Sequence, residues 1–216
     1  MNVLDVLNRR YTTKSFDAKA TLPAETIDTL LESLRLSPSS INSQPWHFMV
    51  AATTEAKERI CAATEGQYAF NTAKVRDASL VVVLSSRFDL TDAYLEHLVD
   101  QEHIDGRFAH EQALQSTHQA RLQFVHRYRE NQSLSHWTEK QTYIALGFLL
   151  MSAAVLGVDA TPIEGFDADT LNQALDLKAH GLSPQVIVAL GRRSDEDMNA
   201  ALAKSRLPAK EVITYL

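Results

Sequence analysis

The sequence predicts one domain in which helices cover both faces of a central β-sheet. Three short runs, at residues 47–53, 79–86 and 185–191, are continuously apolar. This pattern is typical of strands that are buried on both faces rather than of strands that alternate between core and solvent. The chain has 216 residues, which is enough to bury a sizeable core, so we expect residues 1–216 to form a single unit.

The first two helices are predicted from apolar spacing and end signals. Residues 2–10 place valine and leucine on one face and end in two arginines, where positive charge suits a helix C-terminus. In residues 22–36, Pro23 lies near the first turn and apolar residues recur at helical spacing. This helix would end at a loop rich in serine and proline, residues 37–46.

Further helices are predicted at 91–105, 109–131, 135–156 and 167–177. The third of these contains the most apolar stretch of the chain, which includes glycine and serine and is shorter than the roughly 20 residues that a bilayer span requires. We therefore interpret it as a helix buried inside the protein.

The last residues, VITYL at 212–216, predict a terminal strand. Such a strand is held only when it joins a sheet, either in its own subunit or in a partner subunit.

Composition excludes several classes of function. The net charge of −6 and the pI near 5.7 disfavour nucleic-acid and membrane partners. Cys61 is the only cysteine, which excludes an intramolecular disulfide and a cysteine-rich metal site. There is no Rossmann, P-loop or G-x-S-x-G motif. The N-terminal residues lack the pattern of a secretion signal, so we expect a cytoplasmic protein.

A metal site is one alternative that the residues leave open. The segment 96–105, EHLVDQEHID, offers ligand types at His97, Asp100, Glu102, His103 and Asp105. It lacks a pair of histidines four residues apart, so a solvated helix face is the favoured interpretation.

Two small cationic groups suggest anion binding in this acidic chain. Arg10 and Lys14 flank three hydroxyl-bearing residues, and Lys204 and Arg206 lie two residues apart near the C-terminus. Lysine and arginine beside hydroxyls suit a phosphate, although each group taken alone is more often a solvated charge.

Six motifs, in this order along the chain, resemble the FMN-dependent nitroreductase family, which includes oxygen-insensitive NAD(P)H nitroreductases, dihydropteridine reductases and flavin reductases. They are RRYTTKSFD (9–17), SPSSINSQPWHF (37–48), FNTAKVRDAS (70–79), DQEHIDGRF (100–108), TPIEGFD (161–167) and NAALAKSRLP (199–208). The similarity covers nearly the whole chain. It implies an α+β nitroreductase-like fold, with a central mixed sheet covered by helices on both faces, in an intertwined homodimer with two FMN at the subunit interface.

The resemblance also implies roles for cations around the flavin. Arg10, Lys204 and Arg206 are expected to hold the FMN phosphate, while Lys14 and Lys74 face the pyrimidine end of the ring, where positive charge favours the reduced cofactor. The remaining contacts expected on this side of the cofactor come from Tyr11, Thr12, Asn71, Ile163, Glu164 and Gly165. A backbone N–H near Glu164 would polarise the hydride-accepting atom. The residues expected to act in catalysis are Lys14, Lys74 and Glu164.

The serine loop, residues 37–45, supplies the other side of the implied site. Pro38, Ser39, Ser40 and Asn42 are expected to reach from the partner subunit to the ribityl chain, the phosphate and the ring, with Gln141 nearby. Neutral hydrogen-bonding groups suit a chain of hydroxyls, and proline limits the entropy lost on binding.

The resemblance implies a pocket for planar acceptors, with Ile41, Phe70 and Phe124 as its apolar lining and Arg107 as a contact for a charged group. It implies ping-pong hydride transfer from NAD(P)H through FMN to a nitroaromatic, quinone or pteridine. Two alternatives remain open: reduction of free flavin for another enzyme, and flavin binding without turnover. A purely structural protein would be colourless.

Overall fold

A four-stranded sheet organises the fold, in the order β1-β2-β4-β3. The strands are β1 (Trp46–Ala51), β2 (Leu80–Arg87), β3 (Asp159–Ile163) and β4 (Leu182–Gly191). The computed structural model describes residues 2–216. All three neighbouring pairs are antiparallel, which corrects the expected mixed sheet. Among the described residues the one parallel pair is an isolated bridge between Thr12 and Ala160.

Helices surround this sheet. They are α1 (Val3–Arg9), α2 (Ala24–Arg35), α3 (Thr54–Cys61), α4 (Thr72–Asp77), α5 (Asp92–Ile104), α6 (Glu111–Glu130), α7 (Leu134–Leu156), α8 (Ala168–Leu175) and α9 (Ala209–Val212). The long helices agree with the prediction. Among residues 2–216, no helix is long and apolar enough to cross a membrane.

Both faces of the sheet are covered, as the apolar strands predict. Strand β2 shows why, because its successive side chains enter different cores. Val81 and Val83 pack with buried residues of α3, α4 and α8, whereas Val82 and Leu84 pack with those of α2 and α7. A third apolar cluster lies between α5, α6 and the start of α7, away from the sheet.

Two helices leave apolar residues at the surface. Helix α7 was expected to be buried, yet Tyr143, Ile144 and Phe148 are about 40% exposed on one side of it. In α1, Val3 and Leu4 are more than half exposed. These side chains form an apolar surface that a single subunit does not cover.

The C-terminal prediction is wrong for the single chain. Residues 209–212 form a helical turn, and the residues after it are exposed with no strand partner among those described. The reason is physical, because valine, isoleucine and tyrosine favour an extended chain but a strand forms only beside a free sheet edge.

Candidate functional site

Three cationic side chains meet where α1 ends and the C-terminal segment returns. This cationic cluster consists of Arg10, Lys204 and Arg206, and it lines a cleft of about 400 Å³. Lys204 Nζ donates to the carbonyl oxygen of Arg10. Burial lowers the pKa of Arg10, and Arg206 lowers it further. Desolvation and the two arginines also lower the pKa of Lys204. No carboxylate lines this cleft among the described residues, so the cluster lacks an internal counter-charge.

The segment after α1 is fixed along the edge of the sheet. Thr12 forms the isolated bridge to Ala160 of β3. Asp197 Oδ2 accepts hydrogen bonds from Tyr11 Oη at 3.0 Å and from the backbone N–H of Lys14 at 3.2 Å. Burial, followed by the bond to Asp197, raises the pKa of Tyr11. The Tyr11 side chain is therefore bound to the protein, and Asp197 is an organising residue that the motifs do not indicate.

A chain of hydrogen bonds continues the site beyond β3. Lys74 Nζ donates to Asn71 Oδ1 at 2.7 Å, and Asn71 Nδ2 donates to the carbonyl oxygen of Gly165 at 2.8 Å. We call these three residues the lysine–asparagine chain. Burial lowers the pKa of Lys74, and the positive charge of Lys14 lowers it further. Lys74 Nζ also lies 5.2 Å from the ring centroid of Phe70.

Gly165 has no space for a side chain. A Cβ atom at this position would lie 2.8 Å from Asn71 Nδ2, which is closer than real Cβ contacts. Glu164 is bound from the other side, because Tyr143 Oη donates to Glu164 Oε1 at 2.5 Å. Burial and this bond raise the pKa of Tyr143 to about 12. The side chain of Ile163 is buried in the core, which leaves only its backbone for a ligand.

The serine loop is ordered by contacts with helices. The backbone N–H of Ser40 donates to Gln141 Oε1 at 2.8 Å, and the backbone N–H of Gln44 donates to Ser39 Oγ at 2.9 Å. Gln141 lies buried on α7. Trp46 is also buried and stacks near Phe48. These contacts give the loop a defined shape within one subunit.

Glu102 corrects the expectation of a solvated face on α5. It is 4% exposed, and its carboxylate accepts from Arg121 Nη2 at 3.0 and 2.9 Å and from Asn42 Nδ2 at 2.7 Å. The four other candidate metal ligands, His97, Asp100, His103 and Asp105, are exposed. Within residues 2–216, no three His, Cys, Asp or Glu side chains group in a way that suits a metal ion.

A cavity of about 700 Å³ lies between the serine loop and α6, and Ile41, Arg107 and Phe124 line it. The Phe124 ring also packs on Tyr128 at 5.1 Å and on Trp137 at 5.5 Å. Phe70 lies elsewhere, beside the lysine–asparagine chain.

The predicted site residues therefore form two groups. One group extends from residues 10–14 along β3 to Gly165 and includes the cationic cluster and the lysine–asparagine chain. The other group consists of the serine loop, Gln141 and the residues that line the cavity. Among residues 2–216, no hydrogen bond or ion pair joins a predicted residue of one group to one of the other.

Comparison with known proteins decides the family. A sequence model of the nitroreductase family matches residues 7–192 of this chain. This chain belongs to the nitroreductase family. It is 44% identical to the oxygen-insensitive NAD(P)H nitroreductase of Salmonella typhimurium, with 99% of each chain covered. It is 34% identical to the major NAD(P)H-flavin oxidoreductase of Aliivibrio fischeri, covering 99% of this chain and 98% of that protein.

The fold of the nitroreductase family is confirmed by solved structures. A protein from Exiguobacterium sibiricum, solved in complex with FMN, superposes with a TM-score of 0.82 over 100% of this chain and 98% of its own, at 20% identity. The resemblance read from the six motifs and the α+β fold are thus confirmed. The roles of individual residues stay predictions.

Proposed function

We propose that this chain is an FMN-dependent oxidoreductase that uses NAD(P)H for two-electron reduction of nitroaromatics, quinones or pteridines. The observation that carries this proposal is the placement of both regions along β3: the cationic cluster lies beside Thr12, which bridges Ala160 of β3, and the lysine–asparagine chain ends on Gly165, just after β3. The activity named for the relative from Salmonella typhimurium supports it.

The residues fit FMN at its charged end. The cationic cluster surrounds a cleft without a lining carboxylate among residues 2–216, and burial, followed by the neighbouring positive charges, lowers the pKa of Arg10 and of Lys204. A phosphate carries close to two negative charges and several strong acceptor oxygens at neutral pH, so it would relieve this repulsion. Arg10, Lys204 and Arg206 would hold it, with Thr12 lining the same cleft.

Other residues would position the flavin ring and tune it. FMN, when bound there, would supply hydride chemistry between NAD(P)H and the acceptor. Lys14 and Lys74 hold positive charge on one side of the site, which favours the cofactor in its reduced form. Tyr143 holds the Glu164 side chain and Asn71 holds the carbonyl oxygen of Gly165, and the backbone of this segment would present a donor to the ring.

The serine loop and the cavity would complete the site of a second copy of the chain. Two observations support a homodimer. The loop group has no polar link to the cationic group within one subunit, and α1 and α7 expose large apolar side chains. Burial of such a surface stabilises association. In the dimer, Ser39, Ser40 and Asn42 would meet the ribityl chain of the partner's FMN, and Phe124 and Ile41 would receive a planar acceptor. We expect this enzyme in the cytoplasm.

The experiment is a visible spectrum of the purified protein after addition of FMN, recorded before and after anaerobic NAD(P)H. The expected result is a bound flavin spectrum that bleaches with reductant and returns when a nitroaromatic such as nitrofurazone is added. Protein that remains colourless once unbound FMN has been removed would overturn the proposal. Flavin that binds but does not bleach would instead indicate a binding protein without turnover.

A second candidate is reduction of free flavin, which the relative from Aliivibrio fischeri favours. Steady-state NAD(P)H oxidation with nitrofurazone or with free FMN as acceptor separates the two activities. A higher kcat/KM for free FMN would assign flavin reduction as the main activity.

A further inference from the structure

A buried ion pair supports the acceptor side of the proposed site. Arg121 on α6 and Glu102 on α5 are each 4% exposed, and Arg121 Nη2 lies 2.9 and 3.0 Å from the two carboxylate oxygens. Arg107, at the surface, is a more distant second cation, 3.8 Å from Glu102 Oε1. Neither Glu102 nor Arg121 has a role in the proposed reaction.

Each member of the pair also binds the serine loop. Arg121 Nε donates to the carbonyl oxygen of Ile41 at 3.2 Å, and Glu102 Oε1 accepts from Asn42 Nδ2 at 2.7 Å. The two ions therefore bind consecutive residues of the loop. Next along the loop, Tyr94 Oη donates to the carbonyl oxygens of Ser43 and Gln44 at 3.1 and 2.7 Å.

These contacts are made to residues whose backbone conformation is unfavourable for residues other than glycine. Ile41 and Asn42 both have φ of 52°, and Gln44 has φ of 43°. Asparagine tolerates this left-handed region, whereas a β-branched residue such as isoleucine is a marked outlier there. Such conformations persist only when surrounding contacts enforce them, and they concentrate at functional sites.

Stability alone does not account for the pair. Burying two charges carries a large desolvation cost, and apolar residues of similar volume are often at least as stabilising. Arg121 Nη1 is also buried without a hydrogen-bond partner among residues 2–216, which adds to that cost. The specific effect of the ion pair is to fix one conformation of residues 41 and 42, which line the 700 Å³ cavity.

We propose that Glu102 and Arg121 are positioning residues that hold Ile41 and Asn42 in the left-handed conformation that shapes the acceptor pocket. This inference rests on the proposed function, because it assigns the cavity to the acceptor. The pair acts through the loop: it sets where the Ile41 side chain and the Asn42 amide lie, and it does not itself touch the reacting atoms.

The test compares two arginine-to-lysine variants on the same helix. Arg121→Lys keeps the charge but removes the planar donor set that bonds Ile41 and Glu102 together. Arg129→Lys is the matched control, since Arg129 also bonds a carboxylate, Asp89, and a backbone carbonyl, that of Leu90, but far from the loop. In the FMN-loaded enzyme, Arg121→Lys is expected to raise KM for nitrofurazone about tenfold, the loss of one charge-assisted hydrogen bond. NAD(P)H still bleaches the flavin of Arg121→Lys, and Arg129→Lys leaves the KM for nitrofurazone unchanged.

A second variant keeps the test decisive if Arg121→Lys folds poorly. Glu102→Gln retains an acceptor for Asn42 but removes the charge that orients Arg121, and it is expected to raise the same KM severalfold with a far-ultraviolet circular dichroism spectrum like that of the wild type. Folded variants with wild-type KM for the acceptor would overturn the inference while leaving the proposed function intact. A wild-type protein that fails to bind FMN or to reduce nitrofurazone would instead overturn the proposed function.

Discussion

The cationic cluster and the lysine–asparagine chain lie along the same edge of the protein but are built differently. In the cluster, burial and, after it, neighbouring positive charge lower the pKa of Arg10 and that of Lys204. In the chain, Lys74 donates to Asn71, which donates in turn to Gly165. One region thus places repelling charges together, and the other satisfies its polar groups within the subunit.

This difference indicates which region the ligand completes. A cluster of like charges costs folding free energy until an anion binds, so its residues are expected to matter for affinity more than for stability. A hydrogen-bonded chain is organised before binding, so a change there is expected to affect the geometry of the site and the fold around it together. Four variants, one of them a double variant, test this contrast.

The largest effect is expected from the double variant Lys204→Ala with Arg206→Ala. It removes two of the three cations proposed to hold the phosphate, which should weaken FMN binding about a hundredfold. The Tm of the apo-protein should stay the same or rise, because like charges are removed. Titration of apo-protein with FMN, followed by quenching of flavin fluorescence, measures the affinity.

The matched control for this variant removes two exposed lysines outside the cluster, Lys19 and Lys210. It changes the net charge equally and should leave the FMN affinity within twofold. Equal losses in both double variants would mean that overall charge, and not the cluster, attracts the cofactor.

Gly165→Ala is expected to lower kcat/KM about tenfold, with a lower Tm. The added Cβ would lie 2.8 Å from Asn71 Nδ2, so the Asn71 amide must move and the lysine–asparagine chain breaks. A double-mutant cycle with Asn71→Ala checks the cause, because the alanine at 165 should cost little once Asn71 is absent. Full additivity of the two losses would contradict this account.

Lys74→Ala is expected to lower the midpoint potential of the bound flavin by roughly 30 mV, equivalent to about 1.4 kcal/mol for two electrons. The reason is the loss of a positive charge that favours the reduced cofactor. Arg76→Ala is the control on the same helix, since Arg76 is exposed and pairs with Glu58 at 2.8 Å. Redox titration against a reference dye measures both potentials, and equal values for Lys74→Ala and the wild type would remove the electrostatic role.

The sequence predicted the parts of the molecule whose signals are local. Continuously apolar strands and long amphipathic helices were recognised because burial on the sheet imposes their pattern. Strand β3 was missed, since its residues 159–163 include aspartate and proline and carry a weak strand pattern. The short helices α3 and α4 were also missed, because each spans at most eight residues.

The candidate site also has parts that the sequence indicates and parts that it does not. The family motifs indicated the cations and the serine loop, but their spacing along the chain gave no sign of the residues that support them. Asp197 and Arg121 lie outside the motifs, and Glu102, although inside DQEHIDGRF, meets Asn42 and Arg121 only in the tertiary fold. A buried carboxylate on a polar helix such as α5 cannot be distinguished from a solvated one by periodicity alone, and this explains the wrong interpretation of Glu102.

The smallest effect is expected from Tyr143→Phe, which removes the donor to Glu164 and keeps the ring. Burial and Glu164 raise the pKa of Tyr143 to about 12 in the folded protein, against about 10 when unfolded. The folded state thus holds the phenolic proton more tightly, so the bond stabilises the fold fully below about pH 10 and its contribution is lost as the pH rises towards 12.

Because Tyr143 is 39% exposed, solvent screening should limit its effect on the free energy of unfolding at pH 7 to at most about 1 kcal/mol. Tyr215→Phe is the control, since that side chain is exposed. Urea unfolding at pH 7 and pH 11 measures the difference, which should be smaller at the higher pH. A gap between wild type and Tyr143→Phe that widens with pH would contradict the assignment of Tyr143 as the donor. The position of this segment would then rest on the bond from Asn71 Nδ2 to the carbonyl oxygen of Gly165 and not on the Glu164 side chain.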